Sequence, residues 1–221
     1  AYDMSAGDWC SDVCFSDPDL EVALYAPDGG TRLVPHVAVD AGGHFYTRVG
    51  SYTGWGIALL VNKGSQADYR DEATNAPKDL NLPLKTAGVV SAPGTTLHLN
   101  LNALTTVAVI KMGANPSEAQ VDAVNAAVAQ AFGLSTLQGT AVVASNGGSY
   151  QPTDGLSEGE NYGALLASLS GMDWLNGGSV QATLDHISSQ LTVSGNTGSL
   201  SDTGKYAVTA GAKTVAALAS N

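Results

Sequence analysis

Through residues 95–110, TTLHLNLNALTTVAVI, the chain changes its hydrophobic period. Leu97, Leu99 and Leu101 alternate with His98, Asn100 and Asn102, the period of a half-buried strand. From Leu104 the spacing lengthens, and Leu104, Val107, Ala108 and then Lys111-Met112 recur as on a helix. What precedes this pivot has strand character. Residues 20–26 alternate, with Leu20, Val22, Leu24 and Ala26 on one face, and the turn Pro27-Asp28-Gly29-Gly30 follows. Residues 32–39 resume the extended pattern, Asp40-Ala41-Gly42-Gly43 turns the chain, and 44–49 predict a third strand. Residues 56–61, GIALLV, form a continuous apolar run, as in a strand covered on both faces. A short first strand over 13–15, another over 69–73, and edges or loops over 80–84 and 89–90, weakened by Pro83 and Pro93, complete the set. Turns every 8 to 12 residues point to a small antiparallel sandwich.

After the pivot the pattern is helical. Ala119, Val121, Val124, Ala127, Val128 and Ala131 share one helix face; Asn115 is the expected N-cap, Pro116 the first helical residue and Gly133 the stop. Residues 139–144 read as a short strand or an extended connection, and 147–155 as a loop. Helices are predicted over 158–170, 179–191 and 202–218, separated by linkers at 173–178 and 194–200. Alanine on the apolar faces permits close approach but buries little area per residue, so the helices should lean on the sandwich. The expected fold class is α+β: an N-terminal antiparallel β-sandwich of the Ig/transthyretin-like kind, then an Ala-rich helical domain of four to five helices. The expected boundaries are an arm at 1–15, the sandwich at 16–102 and the helical domain at 103–221, with a rigid junction in place of a linker.

Composition narrows the class. Hydrophobic residues make up 44% and charged residues 13% of the 221, so the chain is globular with a surface of Ser, Thr, Asn and Gly. Nine basic against twenty acidic residues give a net charge of −11 and no Lys/Arg cluster, which argues against nucleic acid and anionic lipid as partners. No apolar run reaches the roughly 18–20 residues that span a bilayer, so membrane insertion is not expected. The start at Ala1 is the form that signal-peptide removal leaves, as would a recombinant start. With the light charge it suggests a mature secreted or cell-surface chain.

Several stretches together resemble a unit of large bacterial surface and secreted proteins, in which a transthyretin-like (carboxypeptidase-regulatory-like) β-sandwich precedes a small helical domain. The family's Asp-x-x-Gly-x-Phe pattern is matched by Asp40-Ala-Gly-Gly-His-Phe45 and its Tyr-x-Asp-Glu-Ala-Thr by Tyr69-Arg70-Asp71-Glu72-Ala73-Thr74. Its Thr-Pro-Leu-Thr-Thr-Leu-Ala is matched by Asn102-Ala103-Leu104-Thr105-Thr106-Val107-Ala108, without the Pro, and its Tyr-Gly-Ala-Leu-Leu-Ala-x-Leu-Ser by residues 162–170. The resemblance runs from about Phe15 onward and implies a fold and roles in adhesion, scaffolding or assembly, with no shared reaction.

Chemistry is sparse. Cys10 and Cys14 lie four residues apart, about 13 Å when extended, so a disulfide between them needs a tight turn. A local disulfide is the first reading; free thiols or an intermolecular link are the alternatives. Zinc lacks a second Cys or His pair, and haem attachment lacks a His after Cys14, where Phe15 stands. Gly155-Leu156-Ser157-Glu158-Gly159 matches the hydrolase nucleophile motif, with Asp173 and His186 in hydrolase order, yet no strand leads into it; Ser157 with Glu160 reads as a helix capping box. The four histidines, His36, His44, His98 and His186, are scattered. Asp17, Asp19 and Glu21 are calcium candidates without the Gly of an EF-hand loop, Val22 standing in its place. Tyr46, Tyr52, Trp55 and Tyr69 are candidates for a glycan-stacking platform, Trp174 and Tyr162 for anchors of the helical core. Asp71 and Glu72 are read as structural, capping or bridging to the pivot segment.

The leading expectation is a non-enzymatic extracellular structural protein of cell-surface assembly or adhesion. It self-associates into filaments through its N-terminal arm and needs no cofactor beyond a possible calcium ion. A glycan-binding surface module is the alternative, and a serine hydrolase using Ser157 ranks third.

Overall fold

The structure is a computed structural model and describes residues 3–6, 20–40, 43–64, 66–94, 96–145 and 155–220. In chain order it contains β1 (Asp3–Ala6), β2 (Leu20–Tyr25), β3 (Arg32–Ala38), β4 (Tyr46–Thr47), β5 (Gly54–Asn62), β6 (Tyr69–Arg70), β7 (Pro77–Lys78), β8 (Leu84–Val90) and β9 (Thr96–Leu99). These are followed by α1 (Ala103–Met112), α2 (Glu118–Ala131), α3 (Glu158–Leu175), α4 (Val180–Gln190), the hairpin β10 (Leu191–Ser194) and β11 (Thr197–Leu200), and α5 (Asp202–Ala219). The architecture is mixed α+β with five helices among the described residues.

The main sheet has the order β3-β2-β5-β8 and is antiparallel throughout. Pro35 lies within β3, an edge strand, where its missing N–H leaves no inner ladder broken. A second sheet has the order β4-β1-β9. Here β1 runs antiparallel to β4 but parallel to β9, so the expectation of purely antiparallel pairing does not hold. Leu20, Val22, Leu24 and Leu60 of the main sheet share one core with Leu99 of β9 and with Leu101. The other face of the main sheet is covered by helices, with Trp55 and Ala87 packed against Val121 of α2. The GIALLV strand is thus covered on both sides, as its continuous apolar run predicts: Leu60 packs into the first core and Ile57 against the second.

At the pivot, strand passes into helix without a solvent-exposed residue: Leu99, Asn100, Leu101 and Asn102 are each at most 2% exposed. Asn102 caps α1 in a capping box. Its side chain accepts from the Thr105 N–H at 3.1 Å, and the Thr105 hydroxyl oxygen accepts from the Asn102 N–H at 2.9 Å. The Asn102 amide also donates to the buried Tyr162 hydroxyl on α3 at 3.1 Å, and Thr106 Oγ1 accepts from the Lys85 N–H of β8 at 2.9 Å. Leu82 packs against both the sheet core and the helical core.

Several local expectations are corrected. The strand over 44–49 shrinks to Tyr46–Thr47, because the Asp40 carboxylate and carbonyl accept the His44 and Gly43 N–H groups and hold the chain in a turn. Residues 80–83 form no strand; β8 runs Leu84–Val90, with Pro83 before it and Pro93 after it, where neither costs a ladder donor. The strand over 69–73 stops at Arg70. The N-cap of α2 is Ser117, whose hydroxyl accepts from Gln120 N–H, so Pro116 precedes the cap and Asn115 adopts a positive φ of 54°. Helix α3 runs on through Asp173, Trp174 and Leu175 and ends only where Gly178 N–H closes onto the Asp173 carbonyl at 2.7 Å. Trp174 is 51% exposed, so it does not anchor the helical core, whereas Tyr162 is fully buried. The supposed loop over 194–200 is a hairpin turned at Gly195, with φ 58° at the first central position. The segment 13–15 lies outside the described residues.

Candidate functional site: an acidic cavity at the sheet–helix seam

The site is built on the turn that joins β6 to β7. Asp71 organises it: its Oδ1 accepts from the Thr74 N–H at 2.9 Å and the Thr74 hydroxyl at 2.6 Å, and its carbonyl accepts from Asn75 N–H. Its other oxygen accepts from Lys78 Nζ and from the Ser170 hydroxyl of α3, each at 2.7 Å. Ser170 Oγ in turn accepts the Ala73 N–H at 3.1 Å, so one hydroxyl fastens the turn to α3 through both its lone pair and its proton. The bridge expected of Asp71 therefore exists, but it reaches α3 and not the pivot.

A cavity of about 80 Å³ lies beneath this turn, closed by the pivot at Asn102 and Ala103 and by α3 and α4. Leu80, Leu84, Leu166, Leu169, Val180 and Leu184 give it apolar walls, and Tyr69, Glu72, Asp173 and Thr183 bring polar groups to it. Asp173 is 7% exposed, and its Oδ1 is enclosed without a hydrogen-bond partner. Burial pushes the Asp173 carboxyl up to about 6, against the pull of a hydrogen bond from Thr183 and the Lys78 charge. Burial also pushes half-buried Glu72 up to about 7, and the Asp71 and Asp173 charges add to it. The Tyr69 phenol is raised for the same reason, by burial first and the surrounding carboxylates second. Asp71 goes the other way: burial is outweighed by Lys78, Thr74 and Ser170, which hold its carboxylate below its ordinary value. The seam thus keeps one carboxylate fully paired and leaves two carboxyls that titrate near neutrality in a largely apolar cavity. Such a pair can hold a proton or a cation.

Most of the residues singled out in the sequence lie elsewhere. Ser157 is the N-cap of α3, accepting from Glu160 N–H at 3.3 Å while Glu160 accepts from Ser157 N–H at 2.8 Å. Asp173 stands sixteen residues further along the same helix, about 24 Å away at 1.5 Å per residue, so Ser157, Asp173 and His186 form no triad. The aromatic platform is not assembled either. Trp55 is 7% exposed beneath α2, Tyr69 lines the seam cavity, Tyr52 donates its hydroxyl to the Trp55 carbonyl at 2.5 Å, and Tyr46 alone is largely exposed. Stacking on a sugar needs a face open to solvent, and burial removes Trp55 from the four.

Glu21 accepts from His36 Nδ1 at 2.6 Å and pairs with Lys63, so a cation already occupies the carboxylate proposed for calcium. Asp17, Asp19, Cys10 and Cys14 lie outside the described residues. His44 pairs with Asp40 at 3.3 Å, and His98 lies on β9, in the other sheet from His36. Among the described residues no group of three or more His, Cys, Asp or Glu side chains is arranged to hold a metal ion, and no helix is long and apolar enough to cross a membrane.

Sequence reasoning reached Asp71 and Glu72 through the Tyr69–Thr74 motif and Asp173 only as a hypothetical triad acid. Ser170 closes the stretch matched at 162–170, and that match was the available signal for the seam. Compared with protein-family models, with curated proteins and with solved structures, the chain gives no match.

Proposed function

We propose that this chain is a non-enzymatic structural module of a bacterial secreted or cell-surface protein, serving assembly or adhesion, and that its sheets form the transthyretin-like sandwich that its motifs resemble. The observation that carries this reading is the buried seam. A strand-to-helix passage without an exposed residue, fastened by the Asn102–Tyr162 hydrogen bond, and the Asp71–Ser170 clamp join sheets and helices at two separate places. A module whose task is to transmit force or fix spacing needs its parts to hold one relative orientation, and such a seam supplies that.

The finer part of the proposal concerns how copies join. Strand β1 is four residues long and sits between the two-residue β4 and β9. A neighbour's residues 3–6 have the same backbone groups to offer this slot, and exchange in one direction around a set of copies produces an open filament. Light scattering and electron micrographs of the intact chain should show concentration-dependent polymers, and removal of residues 1–14 should leave monomers. Polymers that persist after the deletion would show that the arm is not the connector.

A further inference from the structure

We propose that the seam cavity is a binding site for a small organic cation, a protonated amine carried on a short aliphatic body. The chemistry of the walls sets both halves of this ligand. Leu80, Leu84, Leu166 and Leu184 present apolar surface that a hydrated metal ion would not repay, whereas an alkyl chain buries itself there. At the polar side, the Asp173 Oδ1 is buried without a partner in a residue only 7% exposed, and Glu72 lines the same space. An ammonium group supplies several N–H donors and a charge to this pair, where Thr183 serves Asp173 but leaves its Oδ1 without a donor.

Lys78 gives a hydrogen bond to another acceptor, although its charge still acts on Asp173 and Glu72. Lys78 Nζ is bonded to Asp71 at 2.7 Å, and Arg70 Nη1 donates to the Asn75 carbonyl at 2.8 Å. The charged and titratable groups that line the cavity with Asp173 are Tyr69, Arg70, Asp71 and Glu72 of the turn and its hairpin, and the Lys78 charge acts on Asp173 from beside them; α4 contributes Val180, Thr183 and Leu184, none charged. Burial lets Asp173 and Glu72 hold protons to higher pH than usual. Binding an ammonium ionises them, so affinity should climb as pH rises through the range where they titrate.

The test uses n-butylammonium chloride as the probe on the full chain, with n-butanol and butyrate as neutral and anionic isosteres, followed by calorimetry and by amide chemical shifts. The expected result is saturable binding of butylammonium that weakens about ten-fold or more in Asp173→Asn, the size expected for losing a hydrogen bond to a charged group. Binding should also weaken on acidification to about pH 5, where both carboxyls hold their protons. Shifts should concentrate on the turn around Glu72 and on α3 and α4. Val180→Phe, which narrows the cavity from α4 without touching a carboxyl, should weaken binding too, so the site is probed by two independent changes whose folding is checked by near-ultraviolet circular dichroism. Absence of saturable binding at millimolar probe, equal binding of n-butanol, full competition by calcium, or an unchanged affinity in both folded variants would overturn the assignment.

Discussion

Asp173 gives the sharpest test of the seam, because its environment predicts that the native residue costs stability. Its carboxyl is raised from 3.8 to about 6 by burial. A group that binds its proton more tightly in the folded chain than in the unfolded one loses stability as pH rises. The loss begins near the unfolded value of 3.8 and is complete above the folded value of about 6. At about 1.4 kcal/mol per unit, a rise of roughly two units corresponds to about 3 kcal/mol carried as a penalty at neutral pH. Asp173→Asn cannot ionise and so escapes that penalty. The amide nitrogen inherits an enclosed position without a partner, which makes 3 kcal/mol an upper bound.

Thermal unfolding followed by circular dichroism should therefore show the variant more stable than the native chain at about pH 8, by up to roughly 6–12 °C for a chain of this size. The advantage should shrink towards zero at about pH 4, where both carboxyls are neutral. Part of the gain should come from Glu72, whose carboxyl is raised in part by the Asp173 charge and would fall back towards its ordinary value. Asp71 pulls the opposite way and keeps its hydrogen bonds in the variant: its depressed carboxyl adds stability that is lost on acidification in both chains. A difference between variant and native chain that does not vary with pH, or a variant less stable at about pH 8, would refute the picture of a buried, under-paired carboxylate.

Three further substitutions probe the scaffold. Ser170→Ala removes a hydroxyl that serves both Asp71 and the Ala73 N–H, leaves a buried carboxylate short of a donor, and should cost about 2–3 kcal/mol in urea unfolding, with faster hydrogen exchange at Ala73. Trp55→Ala should cost about 3–5 kcal/mol through the cavity left between β5 and α2, and a glycan array should show no sugar-dependent signal to lose. Gly171→Ala would set a methyl group 2.2 Å from the Gly211 carbonyl oxygen, where α3 and α5 touch backbone to backbone; the helices must part, at a cost of about 1–3 kcal/mol or more and with amide exchange accelerating along α5. Full native stability in the last variant would mean that the helices do not approach so closely.

What the sequence exposed and what it hid follows from how many neighbours each segment has. The strand over Leu20–Tyr25 and the buried run in β5 were legible because a sheet imposes one period on every residue in it, and the Ser157 cap was legible because capping is local chemistry. Strand β8 was mostly missed: Lys85, Thr86 and Gly88 interrupt its apolar run, and each has a local reason to be there. Lys85 offers its backbone to Thr106, Thr86 Oγ1 accepts from the Gln138 amide, and Gly88 leaves room for Leu97 and Leu99. The hairpin after α4 was missed because its Gly, Ser and Thr residues carry the composition of a loop while their backbone forms a ladder.

Helix α3 makes the deeper case. Four consecutive residues near its end meet neighbours all round: Ser170 bonds the β6–β7 turn and lines the cavity with Asp173, Gly171 meets α5, and Met172 enters the helical core. At about 100° per residue those four positions sweep most of the way round the helix, so α3 is enclosed on nearly every side over this turn and has no solvent face against which an apolar stripe could stand out. The periodicity that locates helices fails on such a segment, and the polar residues it carries read as a linker. They are polar because their partners lie about a hundred residues away in sequence, Asp71 and Ala73 for Ser170. A seam joining a sheet to helices must place polar groups on a buried helix wherever it meets a turn with its own unsatisfied backbone. The same requirement that conceals the helix's end from pattern reading therefore creates a cavity where carboxyls and apolar walls meet.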